Sequence, residues 1–407
     1  MEETSVPPRR MAESSIRLHG GVEGPGTTAL PIAEDDSAHR LAGRLPAGVQ
    51  LKGLLLAGGN GTRLRPLTHS GNKHMIPIAN EPMLYYGLRH LAAVGIRDVA
   101  IVLGPLHEGI PEAVGDGRGF GLKVSYVHQG EPKGLAHAVQ CARGFLGSDP
   151  FVMYLGDNLL QAGAVPLVRR FLAEPLDAVI GVTPVAQPGH YGVVQLDHGR
   201  IVSIQEKPPH PQSNLALIGV YLFTPSIHGI IDGLKPSARG ELEITEAIWN
   251  LHAGGGRLGV EQVEGWWKDT GRPDDLLEAN QKVLSSLPED HFVRSGKVDE
   301  GADVTGPVRL GPGSTIGPRV RIEGPAIIGE GTRVEGAAYI GPATSIGSRC
   351  HIQDGSVRRA IIMDGTEIQG PLEVADSIVG RYSRLISRSQ QPRQISCVLG
   401  DSTQLAF

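Results

Sequence analysis

The sequence of 407 residues predicts an α/β sandwich around a mostly parallel sheet, followed by a left-handed β-helix built from hexapeptide repeats. Two observations lead to this fold class. Short apolar runs alternate with helical segments between about residues 51 and 287, which is the pattern of an α/β sandwich. After that an aliphatic residue recurs at every sixth position, a period typical of the hexapeptide β-helix and not of an α-helix or an ordinary strand.

These patterns divide the chain into four predicted regions. Residues 1–50 mix Pro, Gly, Ser, Glu and Arg without periodicity, and their apolar residues are too sparse to offset the entropy of ordering, so we expect a disordered extension. Residues 51–290 form the α/β domain and residues 291–386 the β-helix. Residues 387–407 are a polar tail that provides or follows a cap of the repeats.

Within the α/β domain, apolar runs predict strands and longer segments with helical periodicity predict helices. The predicted strands are residues 53–57, 98–103, 123–127, 151–155 and 178–185. The predicted helices are residues 83–94, 135–145, 241–251 and 273–284. Ligands of such a sheet bind beyond the carboxyl ends of its strands, so we expect a binding site directly after the first strand.

The β-helix prediction depends on the register of its aliphatic residues. Those at a spacing of six are Val298, Val304, Leu310, Ile316, Ile322, Ile328, Val334, Ile340, Ile346 and Ile352. Each side chain is expected to point inward and to stack on the one a coil earlier. The register shifts once and resumes at Ile362, so we expect a loop or a bent strand near residues 357–360.

Composition argues against several classes of function. The net charge of −5 and the aromatic content of 4% provide neither a basic field nor stacking platforms for nucleic acid. Three widely spaced cysteines argue against a disulfide framework and for a reducing compartment. We find no apolar run of the ~18 residues that a membrane span needs and no apolar core of a signal peptide, so we expect a soluble, cytoplasmic protein.

The run GGNGTRLRP from Gly58 to Pro66 follows the first predicted strand. Glycines let backbone N–H groups close on a phosphate chain, and Arg63 and Lys73 add positive charge that suits phosphate oxygens. The run matches neither the Walker pattern nor the dinucleotide fingerprint. Taken alone, it is also compatible with a simple tight turn.

Two aspartates are candidate metal ligands. Asp157 ends the apolar run FVMYLGDN, and Asp269 lies in WWKDTG just before a predicted helix. Two carboxylates are what Mg²⁺ usually takes from a protein in addition to substrate phosphates. The alternative for both is structural, as turn or helix-capping residues.

Four further residues are weaker candidates. Glu206 and Lys207 form an EKP triplet at the end of a predicted strand, where a lysine is ordinarily a solvated surface residue. Gln129 and Gly134 lie in QGEPKGLA, where a glutamine before a glycine turn could contact the edge of a nucleotide base. The alternative for Gln129 is a loop amide that bonds only to water.

As an ordered set, these motifs resemble the glucose-1-phosphate thymidylyltransferases, and the resemblance extends from Leu51 to about Leu385. The motifs that carry it are GGNGTRLRP, Lys73 with IPI, QGEPKGLA, YLGDN, EKP, SNLALIGVY, GELEIT and WWKDTG. The appended repeats make the chain similar to the long form of that family, often found in antibiotic deoxysugar and aminosugar pathways. The resemblance implies a Rossmann-like nucleotidyltransferase that joins a nucleoside triphosphate and a sugar 1-phosphate, releasing pyrophosphate, with thymidine triphosphate and glucose 1-phosphate as first candidates.

The resemblance also assigns roles to residues of this chain. Nucleotide binding falls to Gly58, Gly59, Gly61, Thr62, Arg63, Lys73, His74, Gln129 and Gly134, of which Gln129 and Gly134 face the base. The sugar-phosphate site comprises Asn158, Gly192, Glu206, Lys207 and Leu217, and Asp157 and Asp269 bind Mg²⁺. Arg63, Lys73 and Lys207 act as the catalytic charges. No covalent intermediate or general base is needed, because a phosphate is already an ionised nucleophile.

One departure from the family leaves the base open. The family commonly has glutamine directly after this lysine, where the chain has His74. Thymine, guanine, uracil and adenine all stay possible, and a carbasugar such as valienol 1-phosphate used with GTP is an alternative. Two further alternatives are a hexapeptide acyltransferase using His351 and a non-catalytic oligomerisation subunit. We expect a homo-oligomer, with the β-helix as a packing and oligomerisation element.

Overall fold

The computed structural model describes residues 50–389 and 391–407. The predicted N-terminal extension therefore lies, apart from Gln50, outside the described residues. No helix in the described part of the chain is long and apolar enough to cross a membrane.

The first region consists of alternating strands and helices. Its strands are β1 (Lys52–Ala57), β2 (Pro77–Ile78), β3 (Glu81–Pro82), β4 (Asp98–Leu103), β5 (Lys123–His128), β6 (Phe151–Leu155), β7 (Asn158–Leu160), β8 (Ala178–Pro184), β9 (Gly192–Asp197), β10 (Arg200–Glu206), β11 (Leu215–Phe223), β12 (Leu258–Gln262) and β13 (Trp267–Asp269). Its α-helices are α1 (Met83–Ala93), α2 (Ile110–Val114), α3 (Leu135–Cys141), α4 (Arg143–Leu146), α5 (Val165–Ala173), α6 (Ser226–Asp232), α7 (Ile244–Ala253) and α8 (Pro273–Ser286). Short 3₁₀ helices are Thr62–Leu64, Leu67–His69, Lys73–Met75, Arg118–Phe120, Pro188–His190 and Glu289–His291.

The centre of the large sheet is parallel, which confirms the predicted Rossmann-like sandwich. Strand β1 pairs in parallel with β4 and β6, and β4 pairs in parallel with β5. The second half of the sheet is mostly antiparallel, because β11 runs opposite to β6, β8 and β9, and only the edge strand β12 pairs in parallel with β8 among the strands described in this half. The carboxyl ends of β1, β4, β5 and β6 therefore meet the amino end of β11 at one edge, where ligands of such sheets bind.

Both faces of this sheet are covered by helices. Side chains alternate between faces along a strand, so Leu55 packs with Leu88 of α1 on one face. Its neighbour Leu54 packs with Val139 of α3 and Ile248 of α7 on the other. Burial on both faces explains why β1 is continuously apolar in sequence.

The predicted helices differ from the structure mainly at their boundaries. The helix predicted over 135–145 is divided at Ala142, whose ψ of 0° separates α3 from α4. The helix predicted over 241–251 begins at Ile244, because the backbone of Glu243 directly before it is extended.

The second region is a parallel β-helix, as predicted. Its strands are β14 (Lys297–Val298), β15 (Asp303–Thr305), β16 (Val308–Leu310), β17 (Thr315–Ile316), β18 (Arg321–Glu323), β19 (Ala326–Ile328), β20 (Arg333–Glu335), β21 (Tyr339–Ile340), β22 (Thr344–Ile346), β23 (His351–Gln353), β24 (Ser356–Ile362), β25 (Glu367–Gln369), β26 (Leu372–Val379), β27 (Arg384–Ile386), β28 (Arg393–Ile395), β29 (Val398–Leu399) and β30 (Gln404–Ala406). Ile322 lies beside Ile340, and Ile328 beside Ile346, so three hexapeptides complete one coil. The stacked aliphatic side chains form a core of their own.

The shift in register is a bent strand. Strand β24 covers the positions of both β21 and β22 of the preceding coil. It bends at Arg359, which has a φ of 46°. The next coil repeats the bend at Asp376, with a φ of 47°, and the guanidinium of Arg359 donates two hydrogen bonds to the Asp376 carboxylate.

The repeats continue beyond the predicted end at residue 386. Leu385 of β27 lies beside Leu405 of β30, and Ile378 of β26 beside Val398 of β29. Residues 391–406 thus contribute another coil, and the prediction of a polar tail after residue 386 was wrong. The signal was hidden because this coil departs from the strict spacing of six.

Helix α8 joins the two regions. Apolar side chains of α8, including Leu276 and Val283, share one buried cluster with Ile361 and Ile378 of the β-helix. Within it, Asn280 is buried. Its Oδ1 accepts hydrogen bonds from Ala79 N–H at 2.8 Å and Ser345 Oγ at 2.9 Å. A buried amide that is hydrogen-bonded to both regions fixes the position of one region relative to the other.

Candidate active site

The glycine-rich run forms a tight loop at the carboxyl end of β1. Gly104 directly follows β4, and a Cβ atom there would lie 2.2 Å from the Gly58 carbonyl oxygen. Any residue other than glycine at position 104 would therefore collide with the backbone at the end of β1. A Cβ atom at Gly58 would lie 2.8 Å from Gln129 Oε1. Gly61 has a φ of 60°, and the 3₁₀ helix Thr62–Leu64 follows it. The loop thus brings its backbone beside Gln129.

Lys73 reaches the same crevice from the next turn of chain. It begins the 3₁₀ helix Lys73–Met75, which is capped by Asn72, and its stem passes Gly59, where a Cβ atom would lie 3.0 Å from Lys73 Cε. The Lys73 ammonium forms an ion pair with Asp157. The two side chains are only 13% and 16% exposed, so the pair is weakly screened by solvent.

Asp157 and Asp269 are brought together by a two-stranded ladder. Asp269 of β13 lies opposite Asn158 of β7, and Thr270 donates hydrogen bonds from its backbone N–H and its hydroxyl to the Asp157 carbonyl. These contacts place Asp269 beside the Lys73–Asp157 ion pair.

The two carboxylates have opposite pKa shifts. Burial by itself raises the pKa of Asp157, but the charge of Lys73 and its hydrogen bond outweigh burial and hold it at about 2. Burial and then the negative charge of Asp157 raise the pKa of Asp269 to about 6, against the opposing charges of Lys73 and Arg63. Arg63 lies against Gly271, where a Cβ atom would be 2.9 Å from Arg63 Nη2. Two adjacent carboxylates that repel each other attract a cation.

The donor chemistry of this pair fits Mg²⁺. Magnesium takes hard oxygen ligands and is usually held by one or two carboxylates plus substrate phosphates. Across residues 50–389 and 391–407, no group of three or more His, Cys, Asp and Glu side chains forms a complete protein cage for a metal. A site of two carboxylates beside the glycine-rich loop therefore suits Mg²⁺ better than a structural metal.

Gln129 and Gly134 also lie together beside the loop. The Gln129 side-chain amide donates hydrogen bonds to the Gly134 carbonyl at 3.0 Å and to His137 Nδ1 at 3.1 Å. Gly134 has a φ of 100° and packs against the backbone of Leu242. The structure thus unites the two residues for which the sequence predicts base contacts, and that role stays a prediction.

His74 lies beneath the crevice. Its ring is 1% exposed, and Nδ1 lies 2.7 Å from Asn72 Oδ1. Burial, followed by the charge of Lys73, lowers the pKa of His74 to about 3, so the ring is neutral at pH 7. Asn72 also donates to the Leu106 carbonyl, so His74 is part of the packing behind Lys73.

A second group of predicted residues gathers where β9, β10 and β11 meet. Gly192 lies opposite Glu206, and a Cβ atom at Gly192 would lie 2.8 Å from Leu217 Cδ1. Lys207 follows with a φ of 42°, and its backbone N–H donates to the Tyr191 carbonyl at 3.0 Å. Its side chain is half exposed, with Nζ 3.6 Å from Glu206 Oε1. These residues form one wall, and the Lys207 ammonium lies at its rim beside the Glu206 carboxylate.

Asn158 connects this wall to the aspartates. Its Nδ2 donates to Asp157 Oδ1 at 3.1 Å, and its Oδ1 accepts from Trp267 Nε1 at 2.7 Å. Trp267 Nε1 also lies 3.0 Å from the Ile218 carbonyl of β11. The carboxylate pair and the Gly192–Leu217 wall are thus adjacent parts of one crevice.

Three residues of this site were not predicted from sequence. Arg239 Nη1 lies 3.1 Å from Glu206 Oε1, and Nη2 lies 2.9 Å from Glu241 Oε2, which places a second cation beside Lys207. Tyr191 and Trp267 stack edge to face, with ring centroids 5.1 Å apart. Trp267 lies within WWKDTG and was already in a motif, whereas Arg239 directly precedes GELEIT, so extending that motif by one residue would have included it.

The crevice therefore presents two groups of cations with carboxylate partners of their own, since Lys73 pairs with Asp157 and both Lys207 and Arg239 pair with Glu206. Arg63 and Lys73 lie at the glycine-rich loop, and Lys207 and Arg239 lie at the Gly192–Leu217 wall. Such an arrangement can neutralise two phosphate-bearing molecules at once and hold them in line.

Comparison with known proteins agrees with this description. Residues 52–286 match the nucleotidyl transferase family, and residues 322–406 match the GMPPB C-terminal domain. The first match covers the region with the crevice and the second covers most of the β-helix.

Similar proteins span nearly the whole described chain. A glucose-1-phosphate thymidylyltransferase of Streptomyces griseus is 44% identical over 355 residues, which is 87% of this chain and 99% of the relative. The low-salt glycan biosynthesis nucleotidyltransferase Agl11 of Haloferax volcanii is 39% identical over 360 residues, with the same two coverages. A crystal structure of a Bacillus anthracis protein assigned as a glucose-1-phosphate thymidylyltransferase, in complex with a sucrose, is 37% identical. It superposes with a TM-score of 0.54 over 56% of this chain and 94% of that one.

Proposed function

This chain belongs to the nucleotidyl transferase family and is a sugar-phosphate nucleotidyltransferase, and we propose that its substrates are thymidine triphosphate and glucose 1-phosphate. The names of its relatives support this choice of substrates. Assignment to an antibiotic or deoxysugar pathway stays a prediction of the resemblance alone.

One observation carries the proposal, namely that the crevice holds two separate groups of cations, one at the glycine-rich loop with Lys73 paired to Asp157 and one at the Gly192–Leu217 wall with Lys207 and Arg239 paired to Glu206. We assign Arg63, Lys73 and the glycine-rich loop to the phosphates of the nucleotide, and Gln129 with Gly134 to its base. We assign Lys207 and Arg239 to the phosphate of the sugar. Arg239 suits this task because its planar guanidinium can contact two phosphate oxygens together, with the phosphate replacing Glu206 and Glu241 as the acceptor of its N–H groups.

The same assignment gives the chemistry. An oxygen of the sugar phosphate attacks the α-phosphorus of the nucleotide, a new P–O bond forms, and the bond to the leaving pyrophosphate breaks. The attacking oxygen is already ionised, so no side chain has to remove a proton from it. Arg63 and Lys73 neutralise the charge that develops on the nucleotide, and Lys207 and Arg239 orient the acceptor.

Asp157 and Asp269 would hold Mg²⁺ in this crevice. When bound, the ion supplies positive charge next to the phosphates. Lys73 contributes to the site by keeping Asp157 ionised, as the low pKa of Asp157 indicates. Thr270 and Asn158 hold the backbone and the side chain of Asp157 in place.

The acyltransferase alternative has no contact in its favour. His351 lies on the β-helix with Nε2 2.6 Å from Glu335 Oε1 in the neighbouring coil, and this contact is sufficient to explain the position of both side chains. We therefore propose no second activity.

A substrate panel tests the proposed function. The four nucleoside triphosphates dTTP, GTP, UTP and ATP are each combined with glucose 1-phosphate, galactose 1-phosphate and valienol 1-phosphate, and pyrophosphate release is measured. We expect the highest kcat/KM for dTTP with glucose 1-phosphate. A clear preference for GTP with valienol 1-phosphate would replace the proposed substrates while leaving the reaction class intact.

A further inference from the structure

The final coil of the β-helix contacts the chain segment that carries Lys73. Asp401, in the turn between β29 and β30, accepts a hydrogen bond at Oδ2 from the Ser70 hydroxyl at 2.7 Å. Arg381, in the turn between β26 and β27, donates from Nη2 to the Met75 carbonyl at 3.2 Å. The backbone N–H of Arg381 donates to Asp401 Oδ1 at 2.7 Å. Two turns of the β-helix thus hold segment 66–75 and also hold each other.

Lys73 lies between these two anchors. Ser70 precedes it by three residues, and Met75 is the last residue of the 3₁₀ helix that begins at Lys73. The carbonyl of Lys73 also accepts from Ile76 N–H at 3.1 Å. With both sides of this short turn held, the Lys73 side chain has a fixed starting point from which to reach Asp157.

Packing supports the same contact. A Cβ atom at Gly400 would lie 3.1 Å from the Pro66 carbonyl oxygen, so the backbones of the two regions are close. Beside this point is a cavity of about 280 Å³. It is lined by Pro66, His69, Ser70, Leu399, Gly400, Asp401 and Thr403. Leu67 of this segment belongs to the buried cluster that also contains Ile361 and Ile378 of the β-helix, so the polar contacts of Asp401 and Arg381 add to apolar packing in fixing segment 66–75.

The β-helix is itself fixed to the α/β region, as the Asn280 contacts indicate. Its final coil therefore presents Arg381 and Asp401 at defined positions. A contact from such a rigid support lowers the freedom of a catalytic group before substrate binds.

We infer that Arg381 and Asp401 are positioning residues for nucleotide binding, which they support through segment 66–75 and Lys73. This inference rests on the proposed function, because it takes Lys73 as a ligand of the nucleotide phosphates. It assigns the β-helix a part in the reaction in addition to packing.

The test compares full-length variants of Arg381 and Asp401. Asp401→Ala and Arg381→Ala should raise the KM for the nucleoside triphosphate roughly 3- to 20-fold, the range of one or two hydrogen bonds. The KM for the sugar 1-phosphate should stay at the wild-type value. Asp401→Asn should restore the nucleotide KM, because its amide can accept from Arg381 N–H and donate to the Ser70 hydroxyl.

Asp376→Asn is the matched control. Asp376 lies on the same β-helix in an ion pair with Arg359, and its substitution should change neither KM. A wild-type nucleotide KM in Asp401→Ala, or an equal rise in both KM values, would overturn the inference.

Calorimetry separates this inference from the proposed function. Measuring the dissociation constant of each of the four triphosphates requires no turnover. A higher dissociation constant in Asp401→Ala than in the wild type therefore supports the positioning role even if dTTP is not the substrate. Wild-type protein that binds a triphosphate without forming a nucleotide sugar would refute the proposed function alone. Wild-type protein that binds none of them would refute both.

Discussion

Lys73 and Asp157 form an ion pair although they lie 84 positions apart in the sequence. The contact joins the turn after the glycine-rich loop to the end of β6. Because it keeps Asp157 ionised while Asp269 lies alongside with a raised pKa, it sets the charge at the centre of the crevice. The predictions below depend on this arrangement.

Substitution of either aspartate should remove most Mg²⁺-dependent turnover. Asp157→Asn and Asp269→Asn preserve side-chain size and remove one charge each, which weakens binding of a cation that neutralises the phosphates. We expect kcat/KM at low Mg²⁺ to fall by at least about 100-fold, since a lost charged contact and a lost metal ligand both contribute. The dependence of rate on Mg²⁺ concentration is the measurement.

Asp232→Asn is the control for this experiment. Asp232 lies at the end of α6 and pairs with Arg143 at 2.6 Å, outside the proposed ligand set. Its substitution should leave the Mg²⁺ dependence unchanged. Near wild-type rates at low Mg²⁺ in Asp269→Asn would show that this residue is not a ligand.

Loss of Lys207 or Arg239 should weaken binding of the sugar phosphate and leave binding of the nucleotide unchanged. Each substitution to Ala removes a charged contact, which costs about 1.5–3 kcal/mol, so the KM for glucose 1-phosphate should rise roughly 10- to 150-fold. Initial rates with each substrate varied in turn give the two KM values. Lys235→Ala removes an exposed lysine from the same region and should change neither. An equal rise in both KM values for Lys207→Ala would contradict the assignment.

His74→Gln should change the preference among nucleotides. Glutamine can still donate to Asn72 Oδ1, but it replaces a rigid ring packed behind Lys73 with a flexible amide. We expect the ratio of dTTP to GTP use to shift, towards dTTP if the wild type favours GTP. Competition between the two triphosphates in one reaction measures that ratio. An unchanged profile across all four nucleotides would leave base selection to Gln129 and its loop.

His90 should make stability depend on pH. Its buried ring lies 2.9 Å from the Tyr154 hydroxyl, and burial, then the charge of Arg89, lowers its pKa to about 4. Between pH 6.5 and 4 the unfolded chain binds a proton that the folded chain does not, so the free energy of unfolding falls as pH falls, by up to about 1.4 kcal/mol per pH unit.

Urea unfolding at pH 7, 6 and 5 measures this dependence. His90→Gln keeps a hydrogen-bonding group near Tyr154 and should reduce the dependence, leaving the part that comes from His74, whose pKa is also lowered by burial. His198→Gln, at a side chain that is 96% exposed, should not. A wild-type pH dependence in His90→Gln would show that the ring titrates normally in the folded state.

Much of the fold could be predicted because its patterns are local. Burial on both faces makes β1 and β6 continuously apolar, and the β-helix repeats its inward residue at a fixed interval. The final coil was missed because its pairing, such as Leu385 with Leu405, no longer follows that interval. The split of the predicted helix at Ala142 depends on packing, which sequence propensity does not contain.

The site was predicted less completely. Residues in motifs, such as Lys73, Asp157 and Glu206, could be named because the resemblance orders them along the chain. Arg239 was not, since its role depends on a loop folding back to Glu206, 33 positions earlier. The contacts of Arg381 and Asp401 with segment 66–75 join residues more than 300 positions apart, and no local pattern indicates them.

The central claim is that glucose 1-phosphate attacks dTTP directly, without a covalent protein intermediate. Exchange of labelled pyrophosphate into dTTP tests this claim most directly, because it shows whether the bond to pyrophosphate breaks only when the acceptor is present. The protein is incubated with dTTP, Mg²⁺ and labelled pyrophosphate, with and without glucose 1-phosphate. We predict that label enters dTTP only when glucose 1-phosphate is present, since bond breaking requires the acceptor's oxygen. Label entering dTTP without any sugar phosphate would reveal a covalent nucleotidyl-protein intermediate and contradict the account.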